Sequence, residues 1–389
     1  MNPMNRKTSI RRLFLAFLRL GVTAFGGPAM VAYIRKMAVE RNRWIDDKDF
    51  RDGVALCQAI PGATAMQTAA YVGLRARGPI GACAAFAGFG LPACLLMIVL
   101  SSLYRYGHNI PSVISAFSGL QAVVVAIVAN ATVSFGKNAL KKFRHIIIAS
   151  TAAALYGIGI HPILVIALSV LGGVAFIEGE PSLQKSAPPP RVASGLPRTL
   201  LCILVVTLAG FLLLLAFQPA LFDLAALMFR VDLFAFGGGF ASVPLMYHEI
   251  VERNAWMNGP TFLNGILLGQ VTPGPVVITA TFVGYWLHGV LGSIIATISV
   301  FTPSFTMVVG IVPYFDRLRA SRYFEKITGG ILCSFVGLLL TVTIHFAGNV
   351  RWDSIHISLA IAALAALLLK VDIVWVVMGG GVVSVLLLK

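Results

Sequence analysis

Two pairs of broken apolar segments carry the residues whose types and spacing suit chemistry. Phe25-Gly26-Gly27-Pro28 and Gln58-Ala59-Ile60-Pro61-Gly62 stand near the start of the chain. Phe236-Gly237-Gly238-Gly239 and Gln270-Val271-Thr272-Pro273-Gly274-Pro275 return in the same order in the second half. Gly and Pro in apolar sequence free backbone groups that lipid cannot satisfy, so such breaks persist where protein buries them or a polar cavity lines them. Each break can end in a half-helix whose N-terminus offers unpaired N–H donors and partial positive charge, which suits an anion. Gln58 and Gln270 add amide donors, and Thr64, Thr272 and Thr279 add hydroxyls. The expected binding set is Arg19, Phe25, Gly26, Gly27, Gln58, Pro61, Gly62 and Thr64, with Arg230, Phe236, Gly237, Gly238, Gln270, Thr272, Pro273 and Gly274. A plainer reading is that the glycines only let helices pack closely; recurrence of both breaks in matched order favours a site.

Arg19 and Arg230 leave two readings open. A charge at bilayer depth costs at least about 2.5–3.5 kcal/mol, so one that is retained usually faces a cavity or a partner, and a guanidinium fork suits an oxyanion. Alternatively Arg19 snorkels to the interface and Arg230 pairs locally with Asp232. Glu40, Asp46, Asp47, Glu249 and Glu252 can serve proton coupling, although solvated loops or helix caps explain them more simply. The seven histidines show no ligand spacing. The five cysteines form no C-x-x-C pair and read as small buried hydrophobes. With no Walker A loop, nucleophile triad or carboxylate pair, the sequence carries neither an enzyme, nor a cofactor, nor a metal centre.

The elements that position these residues cross a membrane. Mean hydropathy is +0.88. Only 12% of residues are charged, about half the ~25% of ordinary globular chains. Several runs approach the ~20 apolar residues that span a bilayer. The formal charge of +15 sits in short connections between those runs, as in cytoplasmic loops, and matches no nucleic-acid module. Such loops concentrate anions at the cytoplasmic mouth.

In order, residues 1–20 predict a helix near the cytoplasmic interface that feeds the first break. Residues 35–53 read as a polar connection, and 54–74 as the second broken segment. Crossings are expected at about 80–104, 109–131, 145–160 and 162–177. Residues 178–198, with Pro188-Pro189-Pro190, form a cytoplasmic proline-rich linker between a first repeat at 1–177 and a second at 199–389. The run 199–217 connects to that second copy, whose crossings fall at about 289–314, 327–348, 355–370 and 371–388. Phe50 matches Phe262, Gly73 matches Gly284, Gly78 matches Gly289, and Pro92 matches Pro303. Loop charge alternates oppositely in the two copies: the connection after the first break is basic, whereas 248–262 holds Arg253 as its only Arg or Lys. Arg105 stands nearly alone opposite Arg317, Arg319, Arg322 and Lys326. The positive-inside rule then predicts an all-α integral membrane protein of two homologous repeats in inverted topology, with re-entrant helix pairs at the repeat interface and a mid-membrane site.

Taken with Arg43-Trp44-Ile45, Tyr71-Val72-Gly73, Pro244, Trp256 and Phe282-Val283-Gly284, the four breaks resemble the chromate ion transporter family in its long two-domain form. The resemblance covers nearly the whole chain apart from the linker and termini. It implies export of chromate across the bacterial inner membrane, chromate resistance, and sulfate as a structural mimic; a homodimer is an open option. The chain departs from the family at Pro61-Gly62-Ala63, where the pattern tends to Pro-Gly-Pro as at Pro273-Gly274-Pro275, which makes the two half-sites unequal. A divalent anion leaving an inside-negative cell gains about 4.6 kcal/mol per 100 mV, over three decades of concentration ratio. Uniport, proton-linked antiport and anion exchange all remain open on the sequence, as does a sulfate carrier with incidental chromate transport or, less favoured, an anion channel.

Overall fold

The structure is a computed structural model and describes residues 8–25, 29–107, 109–177, 196–314 and 321–388. Gly26, Gly27, Pro28 and most of the expected linker lie outside the described residues. Those described are helical, with no strand among them. The helices are α1 (Ile10–Thr23), α2 (Ala29–Arg35), α3 (Asp47–Ala59), α4 (Thr64–Gly107), α5 (Pro111–Ala139), α6 (Phe143–Gly157), α7 (Pro162–Phe176) and α8 (Leu196–Phe217). The second half continues with α9 (Pro219–Leu233), α10 (Ser242–Tyr247), α11 (Gly259–Val271), α12 (Thr279–Ile311), α13 (Arg322–Gly348), α14 (Ser354–Leu368) and α15 (Ile373–Leu387). Five helices among the described residues are long and apolar enough to cross a membrane, and three shorter apolar ones accompany them. None of the most apolar window of α8 is buried, so Leu201, Leu204, Leu208 and Leu212 present a surface that suits lipid rather than water. The chain is a multi-pass membrane protein.

Contacts divide the chain into two compact units, each drawing on both halves of the sequence. The first comprises the described residues of Met1–Val99, Gln184–Gly239 and Thr272–Leu318; the second, those of Leu100–Leu183, Phe240–Val271 and Arg319–Lys389. In the first unit α12 packs along α9, and α8 lies on both. The amphipathic α1 buries Leu13 and Phe17 there, and a Cβ on Gly21 would stand 2.5 Å from the Phe89 carbonyl oxygen. In the second unit α13 packs on α5, α6 and α7, while α14 and α15 pack on α5.

Each half repeats the same backbone irregularities. A π-helical turn occupies Lys36–Arg41 and again His248–Arg253. A non-glycine residue with positive φ follows each, Arg43 at 51° and Ala255 at 48°. The polar connection expected at residues 35–53 is thus a helix end, a tight reversal and a helix start. Asp46 caps α3 by accepting the Asp49 N–H at 2.7 Å, while Arg35 pairs with Glu40 on its own side of the reversal and with Asp47 across it.

The long helices α4 and α12 reverse direction within their length. Helical dihedrals fail at Arg77–Gly78 and at His288–Gly289. Beyond each reversal the chain folds back so closely that a Cβ on Gly73 would collide with the Gly81 carbonyl, and one on Gly284 with that of Gly292. The stretch between Thr64 and the first reversal is a half-helix of roughly 20 Å at 1.5 Å per residue, short of the ~30 Å hydrocarbon core. The sequence matches of Gly73 with Gly284 and Gly78 with Gly289 thus mark one structural device used twice.

Candidate functional site

The first break joins α3 to the half-helix that opens α4. Ile60 caps α3 in extended conformation, and Pro61 cannot continue a helix because its ring removes the N–H donor. Gly62 then takes φ 118°, a conformation that L side chains rarely adopt. A Cβ there would collide with the Ser304 hydroxyl and stand 2.7 Å from the Gln67 amide nitrogen. The freed backbone groups find partners within the first unit. The Gly62 N–H donates to the Ala235 carbonyl at 2.8 Å, and the Ala63 N–H donates to Ser304 Oγ at 2.9 Å. Gln67 Nε2 donates back to the Pro61 carbonyl. Ser304 in turn gives its own N–H to Asp232 Oδ2 at 2.9 Å. Gln67, Asp232 and Ser304 are fully buried.

The second break has the same backbone and different neighbours. Gly274 takes φ 137°, and its Cβ would stand 2.8 Å from the Ala93 methyl. Because Pro92 matches Pro303, Ala93 occupies the position that Ser304 holds at the first break. Pro275 likewise stands where Ala63 supplies its N–H. A 3₁₀ turn over Val276–Ile278 opens α12, and Thr279 Oγ1 donates to the Val276 carbonyl at 2.8 Å.

The glycine stretch of the second half lies against both helix starts within the first unit. Gly237 and Gly238 take φ 91° and 105°. A Cβ on Gly238 would come 3.5 Å from Thr64 Oγ1, and one on Gly239 would come 3.2 Å from the Val276 nitrogen and 3.6 Å from that of Val277. The first turns of two helices, whose N–H groups have no partner within the helix, therefore converge on three residues of bare backbone. An anion placed there would meet positive dipole ends from both sides.

The remaining expected residues fall in several places. Pro61, Gly62, Thr272 and Pro273 are buried; Phe25, Thr64, Phe236, Gly237 and Gly274 are half-buried, and Gly238 is buried. Gln58 is exposed near the end of α3. Gln270, in the second unit, is half-buried, and its Nε2 is enclosed with no hydrogen-bond partner among the described residues. Arg19 is exposed on α1. Arg230 is exposed on α9 and its Nε donates to the Ala226 carbonyl of its own helix at 3.3 Å. The expected local pair of Arg230 with Asp232 is corrected: Asp232 turns into the core, where Ser304 holds it. Helix geometry explains this, since residues two apart point to different faces.

In the second unit Glu249 bonds His161 Nε2 at 2.9 Å and pairs with Arg253. Glu252 bonds His248 and His345, both at 2.8 Å. Burial pushes the Glu252 carboxyl upward, but the hydrogen bonds and charges of the two histidines outweigh it and hold it below its usual range. Sequence reading passed over Gln67, Ser304 and the core role of Asp232. The available signal was an acid embedded in an apolar run, which at membrane depth is by default a functional candidate.

Comparison with known proteins follows the same duplication. The chromate transporter family model matches twice, over residues 11–174 and 222–385. An uncharacterized transporter of Methanocaldococcus jannaschii is 40% identical over the whole of both chains. A chromate transport protein of Pseudomonas aeruginosa is 30% identical over 96% of this chain and 91% of its own length. One of Cupriavidus metallidurans is 28% identical over 92% and 88%. No solved structure matches.

Proposed function

Since the chain belongs to the chromate transporter family, we propose that it exports chromate, or a tetrahedral oxyanion of the same shape, across the bacterial inner membrane. The observation that carries this reading is the convergence of the α4 and α12 helix starts on Gly238-Gly239. Two dipole ends, bare backbone and the Thr64 hydroxyl supply a cluster of donors with no side-chain cation fixed among them, so the anion is held firmly enough to select and weakly enough to release. Within the first unit, Gly237, Pro61, Gly62, Pro273 and Gly274 shape this cradle, and Thr272 contributes a donor.

The duplicated half-helices and the opposed loop charges support two inverted repeats, with the N-terminus and linker on the cytoplasmic side. The repeat boundaries at 1–177 and 199–389 belong to this proposal. An inside-negative potential favours export, because each net negative charge that leaves gains about 2.3 kcal/mol per 100 mV.

The test is chromate flux into proteoliposomes holding the purified chain, with sulfate as competitor and an imposed potential as driving force. Saturable flux that follows the potential and falls with sulfate is the expected result. Sulfate flux without chromate flux would make this member a sulfate carrier; conduction without saturation would make it a channel.

A further inference from the structure

The first break holds two buried acceptor atoms that meet no hydrogen-bond partner among the described residues. Asp232 Oδ1 and Gln67 Oε1 are both enclosed and without a hydrogen-bond partner among the described residues, on side chains with no exposed surface. Their other polar atoms are engaged, Asp232 Oδ2 by the Ser304 N–H and Gln67 Nε2 by the Pro61 carbonyl. Ser304 joins the two sides, since its Oγ accepts from Ala63 and packs against Gly62 beside the Gln67 amide.

Among the described residues no positive charge balances the carboxylate. The groups acting on Asp232 are Ser304 from α12 and the Ala63 N–H from the break. Neither α8 nor α12 brings a charged or titratable side chain to it. On its own helix Arg230 is exposed and bonded to the Ala226 carbonyl, and Asp223 is exposed. An ionised carboxylate left unpaired in an apolar interior is costly, so a cation must accompany it. Two free oxygens are too few to replace the hydration shell of a metal ion, whereas a proton needs only one.

We propose that Asp232 is a proton-binding site coupled to the oxyanion: the carrier takes up a proton there when it binds the anion. This rests on the transport reading above and deepens it. The coupling runs through the start of α4. Ionised Asp232 lies behind Ser304, which accepts the Ala63 N–H at the positive end of that helix, and as an internal anion it occupies the field that the substrate would use. Protonation removes the competitor, so proton and anion favour each other's binding, and the linkage is reciprocal. A dianion that travels with one proton carries one net negative charge instead of two.

The experiment measures charge stoichiometry from the potential at which net chromate flux vanishes across a known chromate gradient in proteoliposomes. Alkaline buffer keeps chromate itself a dianion. The wild-type chain is expected to move one net charge per chromate and to lose affinity as pH rises. Asp232→Asn is expected to move chromate with two net charges and an affinity that no longer depends on pH. Two charges per chromate in the wild-type chain would overturn the proposal by itself, whether or not the variant folds. So would one charge that persists in a folded Asp232→Asn protein, or a stoichiometry that follows sodium at constant pH. Absence of wild-type chromate flux would instead fell the transport reading, and this proposal with it.

Discussion

The two breaks share a backbone and differ in what lies behind it. At Pro61-Gly62-Ala63 the strained glycine rests on Ser304, with Gln67 and Asp232 beyond. At Pro273-Gly274-Pro275 the equivalent glycine rests on the Ala93 methyl. Replacing the second proline by Ala63 restores one backbone N–H, and the structure uses it, on Ser304. The two copies thus share the scaffold, while one carries a buried polar network and the other an apolar seat. A network of this kind is rigid when satisfied and expensive when broken, so the first break is the more fragile of the two.

The largest expected difference comes from the glycines. Gly62→Ala sets a methyl into the Ser304 hydroxyl and fixes an L residue at φ 118°, a backbone strain of about 1–3 kcal/mol before the network is disrupted. We expect loss of monodisperse protein on size exclusion. Gly274→Ala meets similar strain but no hydrogen bonds, so it should yield folded protein of lowered Tm. Equal yields of the two variants would erase the distinction between the breaks.

Next in size is Ser304→Ala, which strips the partner from the Ala63 N–H and leaves a buried donor unmet at about 1–3 kcal/mol. The converse change, Ala93→Ser, offers a hydroxyl to Pro275, which has no N–H to give. Its effect should stay within about 0.5 kcal/mol if the new hydroxyl bonds its own helix. Thermal unfolding of both in one detergent decides this, and a costly Ala93→Ser would show that the second seat is tighter than its contacts suggest.

How far these features were legible in sequence follows from what each one is made of. The breaks at Pro61-Gly62, Gly237-Gly238 and Pro273-Gly274, the repeat and the membrane class are written in Gly, Pro and apolar spacing, which act locally. The reversals at Gly78 and Gly289 were visible as repeat matches but not as reversals, because their meaning lies in the backbone contact of Gly73 with Gly81. The Ser304–Asp232 bond joins residues far apart in the chain, and no local pattern announces it. Residues 35–53 read as a polar connection because they are charged; among those charges Asp46 caps a helix and Arg35 pairs with Asp47 across the reversal.

A smaller effect separates the two glutamines. Gln270 Nε2 is an enclosed donor without a partner among the described residues, whereas Gln58 is exposed. Gln270→Ala should therefore cut chromate flux several-fold while leaving Tm unchanged or slightly raised, since truncation removes an unsatisfied buried donor. Gln58→Ala should lower flux less. If both variants carry wild-type flux, neither amide touches the anion and the donors are backbone alone.

The smallest effects are expected at Arg19 and Arg230. Both are exposed, and the Arg230 Nε donates to a carbonyl of its own helix. Lysine keeps the charge and the long apolar stem, and differs mainly in losing the planar fork. Arg19→Lys and Arg230→Lys should therefore change stability by no more than about 0.5 kcal/mol and leave chromate affinity close to that of the parent chain. That outcome would assign the attraction for the anion to the helix ends at Thr64 and Val276. A collapse of flux in Arg19→Lys, with the protein still folded, would mean that a guanidinium reaches the anion during the cycle. The site would then owe its charge to side chains, and the convergence on Gly238-Gly239 would be a matter of packing.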